Sequence, residues 1–274
     1  MIPFDYITEW RAEVPWTTEA QVEQDLILSR AVVDMFSEPE VARLIGFRGG
    51  TALYKLHLRL AARYSEDIDL VQISAGMIGG VIDAIRHALD PWLGEPRRTT
   101  KEGRIVLMYR MTSEGQPPVP MRLKVEINSR EHFSVFGIEE REFTVRSRWF
   151  NGTAKVKTYQ LDELLATKLR ALYQRKKGRD LFDLFFAGHN AKVDPARMVE
   201  CFKRYLEHDG KRVTRAEFEA NLQEKLSDPD FARDIRPLLA SDVKWDQEAA
   251  ANYLLSEILP LLPGKPWKGG AKIP

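Results

Sequence analysis

A Gly-Gly-Thr triplet, Gly49-Gly50-Thr51, closes a short apolar run (Leu44 to Phe47), and two aspartates, Asp67 and Asp69, follow it around a single isoleucine. The apolar run predicts a buried strand, and two consecutive glycines predict a sharp turn. Residues 51–62 resume helical spacing, which predicts a helix with Thr51 as N-cap and Leu53, Leu56 and Leu60 on one stripe. Residues 68–73 then predict a second strand. The two-residue period of a strand sends Asp67 and Asp69 to one face, while Ile68 and Leu70 point to the core.

That order of elements implies chemistry. Glycines let backbone N–H groups come close to a phosphate, and a helix N-terminus adds positive partial charge and a Thr hydroxyl. Two carboxylates on one small patch raise each other's proton affinity unless a cation neutralises them, and hard oxygens suit Mg²⁺ or Mn²⁺. Each feature alone also occurs as an ordinary turn or a pair of solvated acids. Together they read as a phosphate cradle beside a metal pair. Along MRLKVEI, residues 121–127, Glu126 shares a strand face with Arg122, Lys124 and Asn128. It is the candidate third metal ligand, or else an acid paired with Lys124 or Arg122.

The remaining pattern predicts helices over 19–37 and 77–89 and strands over 104–111, 121–127 and 142–150. From residue 160 onward helices are predicted over 160–175, 179–187, 194–207, 214–226 and 246–261, with Asp194-Pro195 as a helix start. The expected fold is α+β: a mixed-sheet lobe over 1–158 holding the phosphate cradle and metal pair, and a helical lobe over 159–274. The Pro/Gly/Lys-rich stretch 263–274 predicts a mobile end. On the helix over 160–175, Lys168 falls inside the stripe of Leu161, Leu164, Leu165 and Leu172. An ammonium there either snorkels out to water or meets an anion, a carboxylate such as Asp180 or Asp183 or a ligand phosphate.

Charge is uneven along the chain. Residues 1–90 hold 8 Lys/Arg against 14 Asp/Glu, and the rest hold 33 against 26. An acidic metal site beside a basic surface for a polyanion fits this split, as does solvated charge. Basic clusters occur at Arg97-Arg98-Lys101-Arg104, at Arg175-Lys176-Lys177-Arg179, and at Lys203-Arg204 with Lys211-Arg212. The single Cys201 forms no internal disulfide, the five histidines lack zinc-ligand spacing, and no apolar run spans a bilayer. The start MIPFDYITEW lacks a basic n-region, so a cytoplasmic protein with no membrane partner is expected.

FRGGTALYKLH followed by RYSEDIDLV resembles the signature of the AbiEii/AbiGii toxin family, a branch of the DNA polymerase β-like nucleotidyltransferases. LDELLATKLRALYQRKKGRDLFDL is similar to the family's second motif region, with its lysine and Arg-Asp pair. The resemblance spans about residues 44–186 and implies a nucleotidyltransferase-like mixed β-sheet lobe over 1–158 with the metal and triphosphate site, and an acceptor-binding surface on the helical lobe over 159–274. It implies nucleotide binding by Gly49, Gly50, Thr51, Ser65, Lys168 and Arg179, and catalytic roles for Asp67, Asp69, Lys168 and Asp180. Thr51 stands where Ser is common, and Glu126 where Asp is more usual. The resemblance further implies an NTP substrate, a tRNA 3′ end as acceptor, and a separately encoded antitoxin of a toxin–antitoxin or phage-defence system. Transfer to a small-molecule hydroxyl such as that of an aminoglycoside, or nucleotide binding without turnover, are the alternative readings.

Overall fold

The computed structural model describes residues 2–269. The chain divides into two compact units: residues 1–159 with 240–242, and residues 160–239 with 243–274.

The first unit opens with α1 (Phe4–Trp10), α2 (Glu19–Ser37) and α3 (Pro39–Leu44). Thr18 and Gln21 form a reciprocal capping box that starts α2. Pro39 cannot continue that helix and begins α3 instead. Strand β1 (Ile45–Arg48) leads through the glycine pair into α4 (Gly49–Ala52), which continues as a π-helical turn over Leu53–Leu58. Strand β2 (Asp67–Gln72), α5 (Gly79–Leu93), β3 (Arg97–Lys101), β4 (Arg104–Thr112), β5 (Pro120–Asn128), β6 (Ile138–Arg146) and β7 (Asn151–Tyr159) complete it.

The seven strands form one mixed sheet in the order β3-β4-β5-β2-β1-β7-β6. The pairs β2/β5 and β1/β7 are parallel and the others antiparallel. Helices α2 and α5 pack against one face. Ile105, Leu107, Tyr109, Leu123, Val125 and Ile127 are buried beneath them, and the alternate residues of β4 and β5 stay half-buried or exposed.

The second unit is helical: α6 (Leu161–Gln174), α7 (Gly178–Asn190), α8 (Pro195–His208), α9 (Arg215–Leu226), α10 (Pro229–Asp234) and α11 (Gln247–Tyr253), the last running on as π and 3-10 turns to Leu261. Asp194 caps α8 by accepting from the N–H groups of Ala196 and Arg197. Of the expected mobile end, residues 270–274 lie outside the described residues. The part before them is tied to α9: Arg215 N–H donates to the Pro263 carbonyl at 2.8 Å, and Trp267 N–H to Glu219 at 2.7 Å.

Several expectations need correction. The stretch 142–150 is not one strand but the end of β6 and a turn, closed by Ser147 N–H donating to the Phe150 carbonyl at 3.0 Å. Trp149 in that turn meets the Arg30 guanidinium (4.6 Å) and the Trp92 ring (5.6 Å), a contact that alternation along one strand does not reveal. β3, with the sequence RRTTK and no apolar residue, exists only through its ladder with β4. The helix expected over 77–89 begins at Gly79 and runs through Pro91 to Leu93. The helix after the glycine pair begins at Gly49, ends in a π turn, and stops at Arg59, which adopts a left-handed φ of 52°. Leu60 is therefore exposed rather than on the buried stripe.

On α2, Glu23 is buried, and only its Oε2 has a partner among the described residues, the N–H of Glu114 at 3.0 Å. Burial pushes its carboxyl up to about 7 from an ordinary 4.5. Between those values the unfolded chain ionises this group while the folded chain keeps the proton, so its contribution to stability falls as pH rises through that window. Glu23→Gln should raise the thermal midpoint relative to wild type by several degrees at pH 8 and little at pH 4.5. A pH-independent difference in melting curves would contradict this.

Candidate active site

Gly49 has a φ of +81°, a region that side-chain-bearing residues rarely adopt. A Cβ built there would run into the Asp69 carboxylate, and one at Gly50 would meet the guanidinium of Arg63. The glycines therefore make room for an anion on one side and a cation on the other. This placement follows from strand pairing: β1 and β2 are antiparallel, with Arg48 opposite Asp69.

Thr51 is buried and does not cap a helix, in contrast to the expectation. Its hydroxyl donates to the Asp67 carbonyl at 2.6 Å and shares a 2.8 Å hydrogen bond with Ser65 Oγ. Thr51 and Ser65 thus tie the glycine turn to the first residue of β2. Arg63 is 3% exposed, donates to the Tyr64 carbonyl at 3.2 Å, and lies 5.2 Å over the Tyr54 ring. A cavity of about 380 Å³ beside the turn is lined by Thr51, Ser65 and Arg63 together with Tyr54, Trp16 and the Asp25–Lys55 ion pair.

Parallel pairing of β2 with β5 sets Asp67 opposite Lys124 and Asp69 opposite Glu126. The four side chains share the open face of the sheet. Lys124 Nζ lies 2.8 Å from Glu126 and 3.6 Å from Asp67, and Arg104 lies 2.9 Å from Glu126. Burial pushes the Asp67 carboxyl above its ordinary range, Lys124 pulls it back, and Asp69, Glu66 and Glu126 push it up again. Burial works against the Lys124 charge, but Glu126, Asp67 and Asp69 outweigh it and hold its pKa above the ordinary value. The acids crowd one another, and a single ammonium is shared among them. Such an all-oxygen donor set fits a hard divalent cation at Asp67 and Asp69. Among the described residues no three His, Cys, Asp or Glu side chains converge as a ready-made cation cage. Glu126 is instead engaged at one oxygen by Lys124 and at the other by Arg104.

In the helical unit, Lys168 is nearly buried on α6, with Nζ 2.9 Å from Asp183 and 3.6 Å from Asp180, both on α7. Asp180 also accepts two bonds from Arg175, at 2.8 and 2.9 Å. The carboxylate anticipated for Lys168 is thus present. Arg179 does not pair with Asp180 but reaches Asp234 through two bonds of 3.0 Å. Arg48 and Arg63 were not singled out from sequence. Their signal is adjacency: Arg48 precedes the glycine pair, and Arg63 opens the stretch that ends in the aspartates.

The family model described as "Nucleotidyl transferase AbiEii toxin, Type IV TA system" matches residues 30–253. The chain belongs to the AbiEii nucleotidyltransferase toxin family. It is a nucleotidyltransferase by that membership. Comparison with curated protein sequences returns no match. Among solved structures, MenT4, a nucleotidyltransferase toxin from Mycobacterium tuberculosis, is similar, with a TM-score of 0.62 and 16% identity over 96% of this chain and 91% of that one. JHP933 from Helicobacter pylori is similar with a TM-score of 0.54 and 18% identity, over 90% of this chain and 93% of that one. At these identities the likeness concerns the fold: a mixed sheet with helices, as in those structures.

Two stability tests follow from this geometry. Gly49→Ala must accept a left-handed φ and displace Asp69, so it should cost about 1–3 kcal/mol. Gly50→Ala displaces only the end of an Arg63 side chain and should cost less; equal melting midpoints for the two variants would contradict the packing described. Lys168→Met leaves Asp183 and Asp180 with one cation fewer and should cost about 3–5 kcal/mol in chemical denaturation. Adding Asp183→Leu should recover part of that loss, and no recovery would rule out the ion pair as its source.

Proposed function

We propose that this AbiEii-family protein transfers a nucleoside monophosphate from an NTP to the hydroxyl end of an RNA, a tRNA 3′ end on the family resemblance. The observation that carries this reading is the crowding of Asp67 and Asp69 on one face of β2 beside the Gly49-Gly50 turn. In the reaction the acceptor hydroxyl forms a bond to the α-phosphorus, loses its proton, and displaces pyrophosphate. Mg²⁺ or Mn²⁺ held by Asp67 and Asp69 would neutralise phosphate charge and lower the pKa of the attacking hydroxyl. Glu126, the remaining candidate ligand, is engaged by Lys124 and Arg104, which favours an electrostatic role for it over direct coordination. The Gly49-Gly50 turn holds phosphate oxygens, with Thr51 and Ser65 fixing the turn to β2. Arg63 behind Gly50 adds positive potential to the turn.

From the resemblance, Lys168 and Arg179 contribute to nucleotide binding and Asp180 to catalysis. Asp180 and Asp183 would then hold Lys168 in position, leaving one of its N–H groups for a phosphate. The wider setting we infer from the family is a cytoplasmic toxin controlled by a cognate antitoxin, acting in phage defence. No described helix is long and apolar enough to cross a membrane.

Incubation with each labelled NTP, Mg²⁺ and total cellular RNA should place label on RNA. Asp67→Asn or Asp69→Asn should keep the fold by circular dichroism and lower transfer by at least about a thousandfold, on the order of 4 kcal/mol of lost transition-state stabilisation. Near wild-type turnover by either variant at saturating Mg²⁺ would remove the assignment. Glu126→Gln should lower transfer less than either. For Lys168→Met, nucleotide affinity of the folded fraction should fall about ten- to a hundred-fold, from about 1.5–3 kcal/mol for a charge-assisted bond. Unchanged affinity in a binding titration would leave the ion pair as this lysine's whole role.

A further inference from the structure

The open face of the sheet carries a basic track that ends at the catalytic acids. The pairing registers set Arg97, Met108, Lys124 and Asp67 in one row across β3, β4, β5 and β2, and Thr99, Val106, Glu126 and Asp69 in the next. At about 4.8 Å between strands, Arg97 stands roughly 14 Å from Asp67 along its row. Flanking these rows, Lys101 is opposite Arg104, and Arg110 is opposite Arg122. Like charges directly across a ladder destabilise it. Arg104 is relieved by Glu126, and Arg122 partly by Glu66 at 3.8 Å. Arg97, Lys101 and Arg110 are exposed and have no ion-pair partner among the described residues. Between these cations the half-buried side chains of Val106 and Met108 form an apolar floor.

We propose that this face of β3, β4 and β5 is the docking surface for the acceptor, an RNA strand whose phosphates pass over Arg97, Lys101 and Arg110 and whose end reaches Asp67 and Asp69. Facing like-charged pairs are a standing cost in the free protein that a polyanion removes, and an apolar floor between cations suits bases lying above a backbone track. An acidic protein would answer the charge as well. It has no reason to follow a row that leads to carboxylates, whereas an acceptor must end there. The proposal rests on the nucleotidyl-transfer reading above, and it assigns the acceptor to the sheet rather than to the basic clusters of the helical unit.

The test compares two variants of the full chain, Arg97→Gln/Lys101→Gln/Arg110→Gln and Lys203→Gln/Arg204→Gln/Lys211→Gln/Arg212→Gln, each with melting curves as a folding control. Binding of fluorescently labelled total tRNA is titrated at several salt concentrations. The triple variant should bind at least about tenfold more weakly, and its slope of log affinity against log salt should be shallower by about two, since each lost phosphate contact removes about 0.7–0.9. The quadruple variant should keep the wild-type slope. An unchanged slope in the triple variant, a loss confined to the quadruple variant, or absence of tRNA binding by wild type would each overturn the proposal. So would a triple variant that retains tRNA but loses binding to poly-glutamate, which would mark an acidic-protein site. If the triple variant loses tRNA as expected while wild type transfers no nucleotide to it, the surface stands and the transfer reading fails.

Discussion

The Asp69 carboxylate occupies the volume that any side chain at position 49 would fill, and the rest of the candidate-site face depends on that exclusion. Without a Cβ the chain can take a left-handed φ, leave β1 abruptly and enter α4 while an anion lies against the turn. Antiparallel pairing of β1 with β2 brings Asp69 there, and the strand period then places Asp67 on the same face. Thr51 and Ser65 lock the arrangement from the other side of the turn. The glycines thus serve the protein's own carboxylate and guanidinium as directly as any phosphate.

The two units handle charge differently. On the sheet face, Asp67, Glu126 and Lys124 are only partly buried, so water weakens their ion pairs. In the helical unit, Asp180 and Asp183 are fully buried, and Lys168 nearly so. Removing one partner there strands a charge away from solvent, which makes this network a determinant of the helical packing whatever it does for a ligand. Arg175 and Lys168 together neutralise the two aspartates, while Arg179 is drawn off to Asp234.

Much of the fold was legible from periodicity and punctuation. The long helix α2, strands β1, β2, β4 and β5, and the helices from α6 to α9 fall close to where apolar spacing and caps put them, because each buries a face that its own sequence repeats. Of what was not legible, β7 does bury a face, through Ala154, Val156 and Thr158, but the apolar run over 142–150 drew the expected strand too early; other elements lacked such a face. β3 contains no apolar residue and is held by its ladder alone, and the turn between β6 and β7 is set by Trp149 meeting Arg30. The π turn over Leu53–Leu58 changes the register of an otherwise helical pattern, which is why Leu60 leaves the stripe.

For the site, residue types and their spacing alone determined that Asp67 and Asp69 share a strand face after a glycine turn and that a lysine falls within an apolar helix stripe, where it must reach water or an anion. Strand alternation and desolvation are local rules that act on neighbours in the chain. Only the tertiary structure decided which groups meet: Asp69 with Gly49, Arg63 with Gly50, Lys124 between Asp67 and Glu126, and Lys168 with Asp183. Those encounters depend on strand order, register and the packing of α6 on α7. These are set by how separate segments bury their apolar faces together, and no single segment carries that information.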